Sequence, residues 1–194
     1  MPILSREVDA HPERLFELPL DEFPWHVAHV RSRQEKRIAR RLREEDIPFY
    51  LPQWEQKKRR NSRNLSSWLP LFPGYVFFRG GREARTEALR SNVIARLLEV
   101  HDQVLLHEEL AQLHHIQASG AVLIPWPEVA AGDEVRICEG LFCGYRGVVL
   151  REKGLVRLVV SITALRQSVS VELGREVVAL ESRPATGRSK RSSS

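Results

Sequence analysis

Hydrophobic and polar positions follow no clean period over residues 1–22, which predicts a loose N-terminal extension. The pattern sharpens at Trp25. Trp25-His26-Val27-Ala28-His29-Val30 alternates as a half-buried strand does. Ser32-Arg33-Gln34-Glu35 then reads as a capping box, with the Ser32 hydroxyl and the Glu35 carboxylate each accepting from the other's backbone N–H. Ile38 and Leu42, four residues apart, give the following helix its buried stripe, and arginines hold its other faces. Glu44, Glu45 and Asp46 crowd the negative end of the helix dipole, so the helix is expected to fray and stop before Pro48.

Phe49-Tyr50-Leu51 begins a second strand that runs through Trp54 into a basic stretch from Lys57 to Asn64. That stretch has no apolar face to bury and reads as an exposed hairpin tip. On the return, Pro70 and Pro73 remove ladder donors, so only Tyr75 to Phe78 forms an uninterrupted strand. Gly80-Gly81 ends it. Glu83 to Arg90 predicts a short helix with Ala84, Ala88 and Leu89 inward, Val93 to Val100 a strand, and Glu108 to Gln117 a helix striped by Leu106, Leu110 and Leu113. Strands adjacent in sequence and joined by hairpins predict a mainly antiparallel sheet with helices packed on it, an α+β fold. Ser119 to Ala131 reads as a linker. After Gly132 the helical period disappears, and five short β-branched runs predict a small closed barrel. The β-branched residues and glycines of this segment argue against a helical resting state. The expected division is an extension over 1–22, a first domain over 23–118, a linker over 119–131, a second domain over 132–181 and a disordered basic tail over 182–194. The linker is expected to tether the two domains loosely.

Of the 194 residues 42% are hydrophobic, enough for a buried core. No apolar run reaches the roughly 18 residues of a membrane span. Charges with Pro2, Pro12 and Pro19 break any signal-peptide core, and two cysteines make no disulfide framework. A soluble, cytoplasmic protein is expected. The net charge of +5 is uneven. Between Arg31 and Arg63 twelve positive side chains face five negative ones, a local +7, which leaves −2 for the remainder. Such a field suits nucleic acid or an acidic protein face, or it is a solvated surface.

Two strings narrow the reading. Leu71-Phe72-Pro73-Gly74-Tyr75-Val76-Phe77-Phe78 follows Trp25 to Ser32 and Phe49-Tyr50-Leu51-Pro52. Gly132-Asp133-Glu134-Val135-Arg136-Ile137 precedes Glu139-Gly140-Leu141-Phe142-Cys143-Gly144-Tyr145-Arg146-Gly147-Val148-Val149. In this order they resemble the NGN domain and KOW motif of the NusG family of transcription elongation factors, over about residues 24–181. The resemblance implies an NGN α/β sandwich followed by an SH3-like five-stranded KOW barrel. It implies that the first domain docks on the clamp helices of RNA polymerase, contacts DNA or RNA of the elongation complex, and suppresses pausing or termination. The second domain would recruit a partner such as Rho or a ribosomal protein. Thr163 to Arg166 departs from the general factor, where a Phe precedes a Gly-Arg pair, and is closer to specialised paralogues.

The polymerase contacts implied are Phe72, Tyr75 and Trp25, with Phe72 facing the partner across the Pro73-Gly74 turn while Tyr75 and Trp25 lean to the core. The nucleic-acid contacts expected are Lys57, Lys58, Arg59, Arg60 and Arg63 at the hairpin tip and, from the resemblance, Arg85, Thr86, Ser91 and Asn92. In the barrel, Phe142 and Tyr145 form either a partner-binding pair or the barrel's end plug, and Leu165 and Arg166 complete the candidate partner surface. Gly140, Gly144 and Gly147 are expected at turns with positive φ. No catalytic constellation emerges. Cys138 and Cys143 have no second pair to complete a zinc site and are expected inside the barrel. His114 and His115 point about 100° apart on a helix, and His101-Asp102 lacks a nucleophile. The sequence therefore predicts no enzyme, no cofactor and no metal, and a monomer. The rival readings are a ribosome-associated RNA-binding KOW protein and, in another class, a metal hydrolase using the histidines.

Overall fold

A computed structural model describes residues 5–60, 63–126, 133–137, 143–152, 155–173 and 180–182. The elements in chain order are β1 (Ala10–His11), β2 (Trp25–Val30), α1 (Glu35–Glu44), β3 (Phe49–Tyr50), β4 (Gln53–Arg60), β5 (Arg63–Pro70), β6 (Tyr75–Arg79), α2 (Arg82–Arg90), β7 (Ile94–Leu98) and α3 (Gln103–Ala118). They continue with β8 (Leu123–Trp126), β9 (Asp133–Ile137), β10 (Arg146–Glu152), β11 (Leu155–Ile162), β12 (Gln167–Leu173) and β13 (Leu180–Ser182). The fold is α+β with antiparallel pairing in every sheet.

The first sheet runs β1-β3-β6-β2-β7. Its strands alternate sides as the period of two demands. Phe49, Ala28, Val76 and Phe78 face α1 and α2, where Ile38, Ala39, Leu42 and Ala88 close a buried layer. Tyr50, Trp25, Val27 and Phe77 face the opposite way, toward Leu106, Leu110, Leu113 and Ile116 of α3. β4 and β5 leave this sheet and pair with each other as a separate two-stranded ribbon, from Gln53↔Pro70 out to Arg60↔Arg63.

The N-terminal segment is not the loose extension its irregular pattern suggests. Leu15 is fully buried, β1 pairs with β3, and Phe16 packs among Trp25, Tyr50, His107 and His114. Arg79 at the end of β6 anchors it. The Arg79 guanidinium is inaccessible to solvent and donates to four carbonyls: Leu15 at 2.7 Å, Phe23 at 2.8 Å, Leu18 at 3.0 Å and Pro19 at 3.2 Å. It also lies 5.0 Å from the centre of the Trp25 ring. Burial lowers its pKa to about 10, so it stays charged at neutral pH. Backbone carbonyls offer partial negative charge along fixed directions, and a planar fork can meet several of them at once.

The second sheet runs β13-β9-β10-β11-β12-β8. It has six strands where five were expected, because Leu123–Trp126 of the expected linker forms β8 on β12. Pro125 is tolerated there because β8 is an edge strand. Gly147 lies within β10 and not at a turn. A Cβ on it would sit 2.4 Å from the Val159 carbonyl oxygen, so close strand approach explains this glycine. Gly144, by contrast, has φ +90° as expected, and Gly140 lies outside the described residues. Cys143 is exposed and not inside the sheet's core; Cys138 lies outside the described residues.

The loose tether is also corrected. α3 packs on the second sheet as well as the first. Leu158, Val160, Ile162, Leu165, Val169 and Val171 belong to the same buried cluster as the α3 leucines. Polar contacts fix the second sheet along α3. The Gln112 side chain donates to the Arg146 carbonyl at 2.7 Å and accepts from its N–H at 3.2 Å. Glu109 accepts from the Thr163 N–H at 3.0 Å and from its hydroxyl at 2.5 Å, and His115 stacks on Tyr145 at 6.5 Å. No described helix is long and apolar enough to cross a membrane.

Replacing Arg79 with Met should remove the guanidinium from four carbonyls, of which that of Leu15 is buried and that of Pro19 keeps the Phe23 N–H as a donor. A loss of about 3 kcal/mol in urea unfolding is expected, together with faster proteolysis between residues 5 and 24. An unchanged midpoint and cleavage rate would mean that the carbonyl cage does not hold the segment.

Candidate functional site

The turn between β5 and β6 is built around Gly74, whose φ of +86° favours glycine. Its N–H donates to the Glu35 carboxylate at 2.7 Å, its carbonyl accepts from the Val30 N–H at 2.8 Å, and Tyr75 N–H closes the turn on the Phe72 carbonyl at 3.1 Å. Glu35 is therefore spent on the turn and does not reach back to Ser32. Arg33 adopts φ +62°, the helix caps at Gln34 without a side-chain bond, and the expected capping box is absent. α3, conversely, starts five residues earlier than expected, with the Asp102 carboxylate accepting from Leu105 N–H at 2.8 Å.

The clamped turn orients its aromatics opposite to expectation. Phe72 is 1% exposed and meets Phe77 edge-on at 5.9 Å, whereas Tyr75 is only half-buried, its ring 5.1 Å from that of His29. The reason is the alternation along β6: Phe77 points into the core, and the tight turn folds Phe72 back onto it. Trp25 is buried. Its indole N–H donates to His107 at 3.3 Å, and its backbone N–H and carbonyl pair with the Gln103 side chain at 2.7 and 3.0 Å.

Lys57, Lys58, Arg59 and Arg60 lie at the outer end of β4, and Arg63 begins β5 opposite Arg60. Lys57 and Arg59 are exposed, and Lys57 lies 3.4 Å from Glu55. Of the four residues on and after α2, Arg85 and Asn92 are exposed, while the Thr86 hydroxyl donates to the Arg82 carbonyl at 2.9 Å. Ser91 lines a cleft with Arg37, Arg40, Arg41 and Arg90, four arginines that sequence reasoning did not single out. In the second sheet Tyr145 is engaged with His115, Leu165 lies in the shared core, and Arg166 is exposed with φ +53°. Phe142 lies outside the described residues.

Among the described residues no group of three or more His, Cys, Asp or Glu side chains is placed to hold a metal ion. His114 and His115 pack on different aromatic partners, Phe16 and Tyr145. Burial lowers the pKa of His26, His107 and His114, with nearby positive charge adding to the effect. Burial raises that of Glu109, against the opposing pull of its bonds to Thr163.

The arrangement defines a protein that presents aromatic and basic surfaces on an antiparallel sheet, joined to a second unit built of strands. Residues 23–117 match the family described as transcription termination factor nusG. These residues belong to the NusG family, whose members are factors of transcription elongation and termination. A solved structure from Thermotoga maritima, entitled "Domain interaction in Thermotoga maritima NusG", is 17% identical with a TM-score of 0.47, covering 79% of this chain and 94% of that one. No curated protein matches the chain.

The three lowered histidines bind protons less tightly in the folded chain than in the unfolded one. Stability is therefore full above their ordinary value near 6.5 and falls as pH drops below it. The urea midpoint should be lower at pH 5.5 than at pH 7.5, and a His107→Gln, His114→Gln double variant should flatten that fall. An equally steep fall in the variant would assign the pH dependence to other groups.

Proposed function

We propose that this chain is a cytoplasmic, non-enzymatic elongation and antitermination factor that binds RNA polymerase through residues 23–118. Its contact would be with the clamp helices, and its effect the suppression of pausing or termination. The observation that carries the reading is Tyr75, a half-buried aromatic beside His29 on a turn locked by Glu35, within the family-matched span. A rigidly held, partly exposed aromatic is a common centre of binding energy. Phe72 packs into the core at this turn, while Trp25 lies at the far end of the β2–β6 pair, opposite Arg79. The segment 132–181 would recruit a further partner, Rho or a ribosomal protein. Among the described residues of its candidate surface Arg166 is exposed, while Tyr145 and Leu165 are engaged in the junction with α3.

Tyr75→Ala should weaken binding to purified core polymerase about tenfold, as for an interface hot spot, with little change in melting temperature. Phe72→Ala should instead cost about 3 kcal/mol of stability. Full polymerase affinity in Tyr75→Ala would remove the proposed contact.

The basic ribbon would add a sequence-independent attraction to DNA or RNA of the elongation complex. Neutralising Lys57, Lys58, Arg59, Arg60 and Arg63 should lower the slope of log affinity against log salt by up to about 4.5, at roughly 0.9 per phosphate contact. An unchanged slope would make the ribbon a solvated surface.

A further inference from the structure

β4 and β5 leave the first sheet as a ribbon, and the ribbon's root sets the direction it takes. The backbone alone holds that root weakly. Leu71 N–H donates to the Pro52 carbonyl at 2.8 Å, and Pro52 has no N–H to donate in return, where a bonded strand pair exchanges two bonds. A two-stranded hairpin is marginal by itself. Such a root is a hinge unless side chains stiffen it.

Residues 6–9 stiffen it from both strands. Gln53, the first residue of β4, is 2% exposed. Its side-chain amide donates to the Glu7 carbonyl at 3.0 Å and to the Asp9 carboxylate at 2.7 Å, and it accepts from the Glu7 N–H at 3.2 Å. On β5 the Trp68 ring lies under the Arg6 guanidinium, 4.5 Å from its centre. The Asp9 carboxylate also accepts from Arg6, so Asp9 joins the two contacts. A cation on an aromatic face and an amide bonded at three points restrict rotation about the root. The segment is itself fastened to rigid elements. The Asp9 carbonyl accepts from Leu51 N–H at 2.6 Å, the Glu7 carboxylate pairs with Arg40 of α1 at 3.0 Å, and Lys36 donates to the Ser5 carbonyl. From the other side, the Gln117 side chain of α3 donates to the Gln53 carbonyl at 2.9 Å.

We propose that Gln53, Arg6 and Trp68 are positioning residues for the basic ribbon, and that residues 6–9 form a brace fixing the direction in which it presents its charges to a polyanion. That role rests on the ribbon reading given under the proposed function. Residues 6–9 precede the family-matched span, which begins at residue 23, so the brace lies outside the matched domain. Beyond Trp68 the ribbon is a bare strand pair that can flex, but the direction from which it starts is set. A ribbon held in its binding direction has less freedom to lose on binding, and one that wanders binds more weakly in proportion to the time spent elsewhere.

The test is double electron–electron resonance on the full chain, with spin labels on Ser67→Cys in the ribbon and Glu83→Cys on α2, in a Cys138→Ser, Cys143→Ser background. Gln53→Met removes the three side-chain bonds without changing charge, and Trp68→Leu removes the ring. Either should broaden a narrow distance distribution, whereas Trp68→Phe, which keeps an aromatic face under Arg6, should leave it narrow. Affinity for the elongation complex should fall in Gln53→Met by the reciprocal of the fraction left at the parent distance, about fivefold where one fifth remains. Binding to core polymerase without nucleic acid should not change. On a ribbon whose five basic residues are neutralised, Gln53→Met should cause no further loss, because the direction of an uncharged ribbon no longer matters. Should Gln53→Met fail to fold, Trp68→Leu, at a partly exposed position, carries the same comparisons. An unchanged distance distribution in the folded variants, a parent distribution as broad as theirs, or an equal loss on the neutralised ribbon would each overturn the proposal. Full affinity of the neutralised chain would instead sink the polyanion reading, while the distances, which need no partner, still decide the brace.

Discussion

Helix α3 has a sheet on each side, and each sheet completes its core against it. A sheet buries a face only when another layer covers it. The first sheet already has α1 and α2 on one face, and its second face would be open without α3. The strands after residue 132 form a small unit whose own apolar area is modest, and covering part of it with α3 makes up the shortfall. The helix meets both demands with a stripe of Leu106, Leu110, Leu113 and Ile116, and with glutamines that bond backbone on either side. Gln103 pairs with Trp25 and Gln117 with the Tyr50 hydroxyl on the first sheet, Gln117 also bonds the Gln53 carbonyl at the base of the ribbon, and Gln112 pairs with Arg146 on the second sheet.

The N-terminal segment follows from the same geometry. A helix laid across a twisted sheet leaves a wedge at its edge, and aromatic side chains fill wedges well because they are large and flat. Phe16 enters between His107 and His114 of α3 and the rings of Trp25 and Tyr50. Arg79 then ties down the backbone that delivers it. The buried cation needs no carboxylate partner because carbonyl dipoles surround it, and it avoids the cost of burying a second full charge.

Much of this was legible in the sequence wherever the signal is local. The alternation of Trp25 to Val30, the strand from Tyr75, and the β-branched runs of β9 to β12 formed strands, with residues 177–179 of the fifth run outside the described residues, and the basic stretch did fall on a hairpin. What was not legible depends on partners far along the chain. Glu35 serves Gly74, 39 residues away, so its capping-box signature was correct in composition and wrong in use. Arg79 finds carbonyls, which leave no mark in side-chain sequence. β8 carries a proline and becomes a strand because β12 offers an edge. Phe72 and Tyr75 exchange exposure because the turn's clamp, and not the motif alone, sets where each ring goes. The four cleft arginines lie on two helices that only tertiary packing brings together.

The position of Glu35 has a consequence for how the candidate surfaces relate. α1 is held at its first turn by the bond to Gly74 and near its last turn by Arg41 on Glu87 of α2. Between these points Ile38, Ala39 and Leu42 are packed on the sheet. A helix fixed at both ends and along one face moves with its sheet as one body, because packed interiors resist small continuous displacements. The turn bearing Tyr75 and the arginine cleft are thus parts of the same rigid unit. The ribbon differs: beyond Gln53 its strands pair with each other and not with the first sheet. A two-stranded ribbon is the weakest kind of sheet, and the packing of this one is at its base, where Trp54 lies against the core and Arg6 covers Trp68. Its charges can therefore adjust to a polyanion of variable shape, whereas Tyr75 sits on a turn fixed to the sheet and cannot.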